Sequence, residues 1–217
     1  MNNKNLFVLL FLFIASIAKS QSDEFLTVTL KSDIEAFKKS LLFETSKVLD
    51  IKADFVQTKW VDFLDESVVS TGILYFSTGK RLRWEYVKPY SLIFILNASK
   101  AWMMNHGLVT EMDVNSNKML RELSELMLFG IDCSSLFANA NFEFAFRRSE
   151  LQWEVNLKPR SKDIKALFLR IDILFSALTY QMEAVRMIEV SGDETFIQLT
   201  NPIINNFLPD SLFDGEK

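Results

Sequence analysis

Two hydrophobic periods organise the chain. Over residues 33 to about 45 apolar side chains recur at Ile34, Phe37, Leu41 and Leu42 with lysines and glutamates between them, which predicts a helix with one apolar face. Ser32 or Asp33 is placed to cap it. The period then changes to two. In ADFVQTKWVDF, Phe55 and Gln57 fall on one side and Val56, Thr58 and Trp60 on the other, as in a long strand with both sides partly covered. GILYFSTGKRLRWEYV predicts a hairpin over 73–77 and 81–87, turning at Thr78 and Gly79. In its second arm Leu82, Trp84 and Tyr86 point to one side, and Arg81, Arg83 and Glu85 to the other. Pro89 removes a backbone donor and ends this arm, after which SLIFIL and AWMMN read as further strands.

One stretch breaks the strand pattern. In NSNKMLRELSELMLFGIDCSSLFANA, Met119, Leu120, Leu123, Leu126 and Met127 sit at helical spacing, Arg121, Glu122 and Glu125 lie opposite, and Gly130 is a stop. A shorter helical turn is predicted over 134–137. Strands resume with a hairpin in which Phe142, Phe144 and Phe146 alternate with Asn141, Glu143 and Ala145, and Leu151, Trp153, Val155 and Leu157 alternate with Gln152, Glu154 and Asn156. KALFLRIDILFSALTYQMEAVRMIEV adds two strands connected near 176–178, and ETFIQLTN adds another. The predicted class is mainly β with some α. A single antiparallel sheet of many strands curls into an unclosed barrel, covered by an N-terminal helix and a helical insertion. No repeat or linker divides it, so residues 21–217 are expected to form one domain.

The first twenty residues stand apart. Lys4 precedes an apolar run over 6–18, and the small residues Ala18 and Ser20 come before Gln21. These are the three parts of a secretory signal peptide, with an apolar core short of the roughly 20 residues that a membrane helix needs. The expected mature protein is exported and soluble. No cysteine follows the cleavage point, which argues against lipid attachment there.

Losing Lys4 and Lys19 with the leader takes the formal charge from −4 to −6, a poor balance for a phosphate backbone. The rings and cations of 81–86 also face apart, whereas a single-strand platform needs them on one surface, so nucleic acid is not expected as a partner. The 20 Phe, 8 Met and 4 Trp residues are an apolar excess that requires either a large core or apolar surface kept for a ligand.

Catalytic candidates are few. His106 is the sole histidine and sits in the polar NHGLV segment, so no multi-histidine metal site and no cofactor is expected. Cys133, the sole cysteine, reads as a buried small hydrophobe rather than a nucleophile. Asp62, Asp65 and Glu66 read as a solvated loop. No phosphate loop, nucleophile elbow or zinc spacing is present, and the chain is not expected to be an enzyme.

The segments DFVQTK, GKRLRWEYVKP, AWMM and QLTNPIINNFLPDSLF, in this order, resemble the periplasmic outer-membrane lipoprotein carrier protein family, LolA-like. The resemblance spans about 37–213, and its most specific part is Arg83-Trp84-Glu85-Tyr86 followed by Pro89. It implies an unclosed β-barrel with helices as a lid. The partners it implies are acylated lipoproteins, an inner-membrane ABC-type release complex and an outer-membrane acceptor, met through transient contacts and without covalent chemistry. It places Leu82, Trp84, Tyr86, Phe94 and Trp102 in an acyl-chain cavity under a lid carrying Met119, Leu120, Leu123, Leu126 and Met127. Where the family often has a lid-latching arginine this chain has Thr78, which leaves Arg81 or Arg83 as the latch candidate, or packing alone. Two other readings stay open: a carrier for a different lipid or lipid-like molecule, and a periplasmic sensor or adaptor on the same half-barrel. The residues alone equally allow Trp84, Tyr86, Trp102 and the helix to form an ordinary filled core.

Overall fold

A computed structural model describes residues 24–63, 66–116 and 118–215. The leader-like residues 1–20 and Asp65 lie outside them. The chain runs β1 (Leu26–Thr27), α1 (Lys31–Thr45), β2 (Asp50–Trp60), β3 (Ser67–Ser77), β4 (Arg81–Lys88), β5 (Leu92–Asn97), β6 (Lys100–Asn105) and β7 (Leu108–Asp113). It continues through α2 (Lys118–Leu128), a 3-10 turn at Cys133–Ala138, β8 (Phe142–Arg148), β9 (Gln152–Pro159), α3 (Lys162–Lys165), β10 (Phe168–Ser176), β11 (Met182–Glu189) and β12 (Glu194–Ile204). A last 3-10 turn spans Asp210–Phe213.

All twelve strands join one antiparallel sheet in the order β1-β8-β9-β10-β11-β12-β2-β3-β4-β5-β6-β7. Strands β1 and β7 are its two edges, so the sheet curves without closing, as expected for an open half-barrel. Most neighbours are also consecutive in the chain, which suits short hairpin connections. The β6–β7 hairpin is an addition to the predicted elements. Its connection is His106-Gly107, both with positive φ, at 47° and 81°, the left-handed pair that a tight two-residue hairpin turn requires.

Helix α1 begins earlier than predicted, with Leu30 as N-cap and no capping side chain. Ser32 and Asp33 therefore lie within the first turn, where the Asp33 carboxylate faces the favourable end of the helix dipole. The helix buries Phe37 and Leu41 on the inner face of the sheet, where the Phe37 ring stacks on Trp153 with centroids 4.3 Å apart. That contact anchors a core of Phe146, Val155, Ile173 and Phe175 beneath it.

A second inner core lies beside the first and is built on β2 to β4, where Phe55, Leu74, Leu82 and Trp84 pack with Leu128 and Ile131 at the end of the insertion. Gly72 is required here. A Cβ at that position would collide with the Glu85 carbonyl and the Phe55 ring, and that ring rests 5.0 Å from Trp84 and 5.1 Å from Tyr86. A third cluster, Ile95, Trp102 and Phe213, sits on the outer face, covered by the C-terminal segment. The outer face over β8 to β10 is polar, with Arg147 paired to Glu154 at 3.0 Å and Asn156 bonded to Asp172 at 2.7 Å.

Candidate functional site

Between the two inner cores the sheet and α2 do not meet, and a cavity of about 350 Å³ remains. Strand alternation and register build its wall. Trp84 pairs across strands with Phe94, and both point inward with Tyr86. On the opposite wall Ile173 pairs with Val185, Val185 with Ile197, and Ile171 with Met187. Leu123, Leu126 and Met127 of α2 close the space from above.

The predicted cavity set is thus only partly assembled. Trp84, Tyr86 and Phe94 line the cavity. Leu82 shares their face but is fully buried in the packed core beside it, where its side chain meets protein rather than open space. Trp102 is on the other side of the sheet. It pairs with Ile95, whose side chain alternates with that of Phe94, and so it lies in the outer cluster under the C-terminal tail. Gly215 has no room for a Cβ because it rests on the Trp102 ring, and the indole N–H donates to Glu111 at 3.1 Å.

Of the lid residues, Leu123, Leu126 and Met127 reach the cavity, whereas Met119 and Leu120 at the start of α2 do not line it. Helical spacing puts Glu122 on the solvent side, yet it is buried, 7% exposed. Its carboxylate accepts from the Ser161 hydroxyl at 2.6 Å and lies 3.4 Å from Lys118, which also pairs with Asp163 at 3.0 Å. The first turns of α2 are therefore tied to the segment around α3.

Arg81 and Arg83 do not latch the lid. The alternation that sends Trp84 inward sends both arginines to the face away from α2. Arg81 pairs with Asp210, donates to Ser77 Oγ at 2.7 Å and lies 5.2 Å from the Phe213 ring centroid. Arg83 pairs with Glu85 at 2.8 Å and donates to the Leu212 carbonyl at 3.4 Å. Their partner is the C-terminal tail. Thr78 sits in the β3–β4 turn, its backbone N–H bonded to the Leu49 carbonyl.

Polar groups are scarce in the cavity. Gln57 provides the one carboxamide among the lining residues, and its Oε1 accepts from Tyr86 Oη at 2.8 Å. Burial pushes the Tyr86 phenol up to about 12, the nearby Tyr90 adds to this, and Trp84 opposes it slightly. The Trp84 indole N–H is buried and lies near enough to influence that phenol, but no acceptor meets it at hydrogen-bonding geometry. Two residues beyond Gln57, at one end of the same strand face, Lys59 pairs with Glu189 at 2.9 Å and Asp193 at 3.2 Å. The Glu189 hydrogen bond is the main reason that the Lys59 pKa is raised.

Sequence reading missed Gln57 as a wall residue, together with Ile171, Ile173, Val185, Met187 and Met182. For the strand residues the inward parity was legible, but nothing in one sequence says which inward positions meet a helix and which meet a void.

The remaining titratable candidates lie elsewhere. Cys133 is fully buried, donates to the Phe129 carbonyl at 3.3 Å, and burial drives its thiol well above the ordinary range. His106 is in the β6–β7 turn. The Asp62 N–H bonds to the Asp193 side chain, and Glu66 is exposed. Among the described residues no group of His, Cys, Asp and Glu is arranged to hold a metal ion, and no helix is long and apolar enough to cross a membrane.

Comparison with solved structures finds this architecture elsewhere. An uncharacterised conserved protein from Thermus thermophilus superposes with a TM-score of 0.50 at 7% identity, covering 83% of this chain and 92% of that one. A LolA superfamily protein from Nitrosomonas europaea gives a TM-score of 0.43 at 7% identity, over 82% and 97% of the two chains. The Mycobacterium tuberculosis lipoprotein LppX gives 0.44 at 9% identity, over 83% and 99%. At such identities the likeness to the Thermus protein is one of fold. A comparison with curated proteins finds no match. The sequence profile of the outer membrane lipoprotein carrier protein LolA matches residues 46–215, from the end of α1 through the C-terminal turn. A match of that extent, on an unclosed sheet with a helix-covered apolar cavity, means that the chain belongs to the LolA family.

Proposed function

We propose that this protein is a periplasmic carrier that takes the acyl chains of lipoproteins into its cavity and moves them from an inner-membrane ABC-type release complex to an outer-membrane acceptor. The observation that carries this reading is the cavity itself, apolar on nearly every side and closed by a helix rich in leucine and methionine. A filled core would be the cheaper construction, because a void forfeits dispersion contacts. Methionine and leucine at the closing face suit a wall that must repack around contents and around their absence.

The magnitudes are consistent with acyl cargo. At about 30 Å³ for a group the size of a water molecule, 350 Å³ holds on the order of a dozen methylenes. Each contributes about 0.8 kcal/mol on leaving water, comparable to what it gains in a bilayer, so transfer between the two is near balance. One chain fills the cavity as it stands. Two or three require α2 to move outward.

The test is native mass spectrometry with lipid extraction on protein purified from the periplasm without detergent. Bound acylated peptide is expected. Free lipid or pigment alone would replace lipoprotein by another cargo, and protein that is empty under every growth condition would overturn the carrier reading.

A further inference from the structure

The carrier reading, on which this inference rests, gives the apolar wall a role but leaves the polar group set into it unexplained. Gln57 stands on β2 between Phe55 and Lys59 and shares the face that lines the cavity. A leucine or valine there would continue the apolar surface of Ile197 and Leu199. Instead a carboxamide is fixed in place: its oxygen is committed to Tyr86 Oη, which leaves the NH₂ group as the free end. Among the described residues no protein group accepts from that nitrogen, and Gln57 is half-buried, so the amide is accessible from the cavity mouth and is not sealed in the core. The Trp84 indole N–H, in a residue 9% exposed, is likewise unmatched beside the same phenol. Gln57 therefore presents a donor toward the cavity, while its own amide oxygen and the Tyr86 hydroxyl are joined to each other.

Among the described residues no cation lines the cavity, and Lys59, further along this strand face, is held by Glu189 and Asp193. At a half-buried position among apolar side chains an uncharged donor suits a neutral acceptor, whereas a carboxylate or phosphate there would lose part of its hydration without a counter-charge.

We propose that the Gln57 amide nitrogen is a cargo-binding subsite that donates to the carbonyl oxygen of an acyl ester or acyl amide. The hydrocarbon chain then lies against Trp84 and under Leu126, and the head group faces the Lys59 end of the sheet. The cavity selects acylated molecules over plain hydrocarbons and over free fatty acids. Lipoproteins and glycerolipids both supply such a carbonyl, and lipid extraction of the purified protein tells them apart.

The test measures displacement of an anilinonaphthalene dye from the purified protein by methyl laurate, laurate and dodecane, in the wild type, Gln57→Leu and Tyr86→Phe. Gln57→Leu is expected to weaken methyl laurate by about three- to tenfold, the yield of one neutral hydrogen bond, and to leave dodecane unchanged. Tyr86→Phe, which keeps the amide but frees it to rotate, gives a smaller loss. Wild-type protein prefers the ester to laurate at neutral pH. The proposal is overturned if Gln57→Leu leaves methyl laurate unchanged, if dodecane weakens by the same factor, or if laurate binds better than its ester. If none of the three displaces the dye from the wild type, the containment reading falls and this subsite with it.

Discussion

Trp84 and Trp102 stand on opposite faces of one sheet, and the strand between them accounts for it. Trp84 pairs with Phe94 and Trp102 with Ile95, two consecutive residues of β5 that alternate in direction. One tryptophan lines the cavity and the other roofs the outer cluster beneath the C-terminal tail.

Replacing Trp102 by alanine is therefore expected to cost about 3 to 5 kcal/mol, as for other large buried aromatics, while apolar dye affinity stays at the wild-type value. Urea denaturation and dye titration of the same preparation check this. A fall in dye affinity as large as that of Trp84→Ala would put Trp102 in functional contact with the cavity.

The arginines give a second contrast. Arg81 holds Asp210, an exposed carboxylate, and faces the Phe213 ring, so Arg81→Ala should cost only about 1 kcal/mol. Its local effect should be specific: faster hydrogen exchange and proteolysis within the segment 205–215, with α2 unchanged. Accelerated exchange in α2 would make this arginine a lid latch after all.

These two cases show what the sequence could and could not convey. Alternation in RLRWEYV correctly set rings against cations, and that alone excludes Arg81 and Arg83 from contact with a lid over the rings. The Phe142-to-Leu157 hairpin was equally legible, because its inner side is apolar and its outer side polar. Strands β5 and β6 were legible as strands, but which way their faces point was not. LIFIL is apolar on both sides because the tail covers its outer face, so period two carries no direction there and Trp102 could be read either way. Gln57 was legible as a residue on the Phe55 face, yet a lone polar residue on a strand ordinarily marks solvent, and only the tertiary void gives it another setting. Glu122 is the same case on a helix: its burial depends on Ser161, which comes from a distant part of the chain.

Glu122 also identifies what holds the lid. Removing its carboxylate leaves the Ser161 hydroxyl without its partner and Lys118 with Asp163 alone, so Glu122→Ala should cost about 1 to 3 kcal/mol and Ser161→Ala less. The distinguishing readout is hydrogen exchange in α2, expected to rise in both variants while exchange in β8 to β10 follows only the global loss. Uniform acceleration would mean that the pair supports the whole fold and not the lid.

Alkaline pH tests the buried phenol. An unfolded tyrosine ionises near 10, and Tyr86 in the folded protein only near 12, so across that window the native state keeps a proton that the unfolded state has lost. Stability must then fall as pH rises from 10 to 12. Tyr86→Phe should flatten part of that fall and remove a late-ionising phenol from the ultraviolet titration, leaving a residual slope from Tyr75, whose pKa burial also raises. A titration in which every tyrosine ionises near 10 would show that the phenol is open to water.

Met182 bears on cargo length. Its side chain lines the main cavity and also a smaller one of about 30 Å³ between β2, β12 and the end of α1, and with Leu199 and Gly130, which line both, it separates them. Its sulfur lies against Gly130, where a Cβ would collide with it, which holds the turn after α2 close to β11. Met182→Ala removes the Met182 part of that separation and opens a passage between the two spaces beside Leu199. The empty protein should lose about 2 kcal/mol, near the low end for such truncations because Met182 is partly exposed. The joined cavity reaches further along the sheet, so the optimum in a series of methyl esters should move to longer chains, each added methylene contributing up to about 0.8 kcal/mol until the new space is filled. An unchanged optimum would mean that acyl chains enter only the part of the cavity under Leu126 and do not reach Met182.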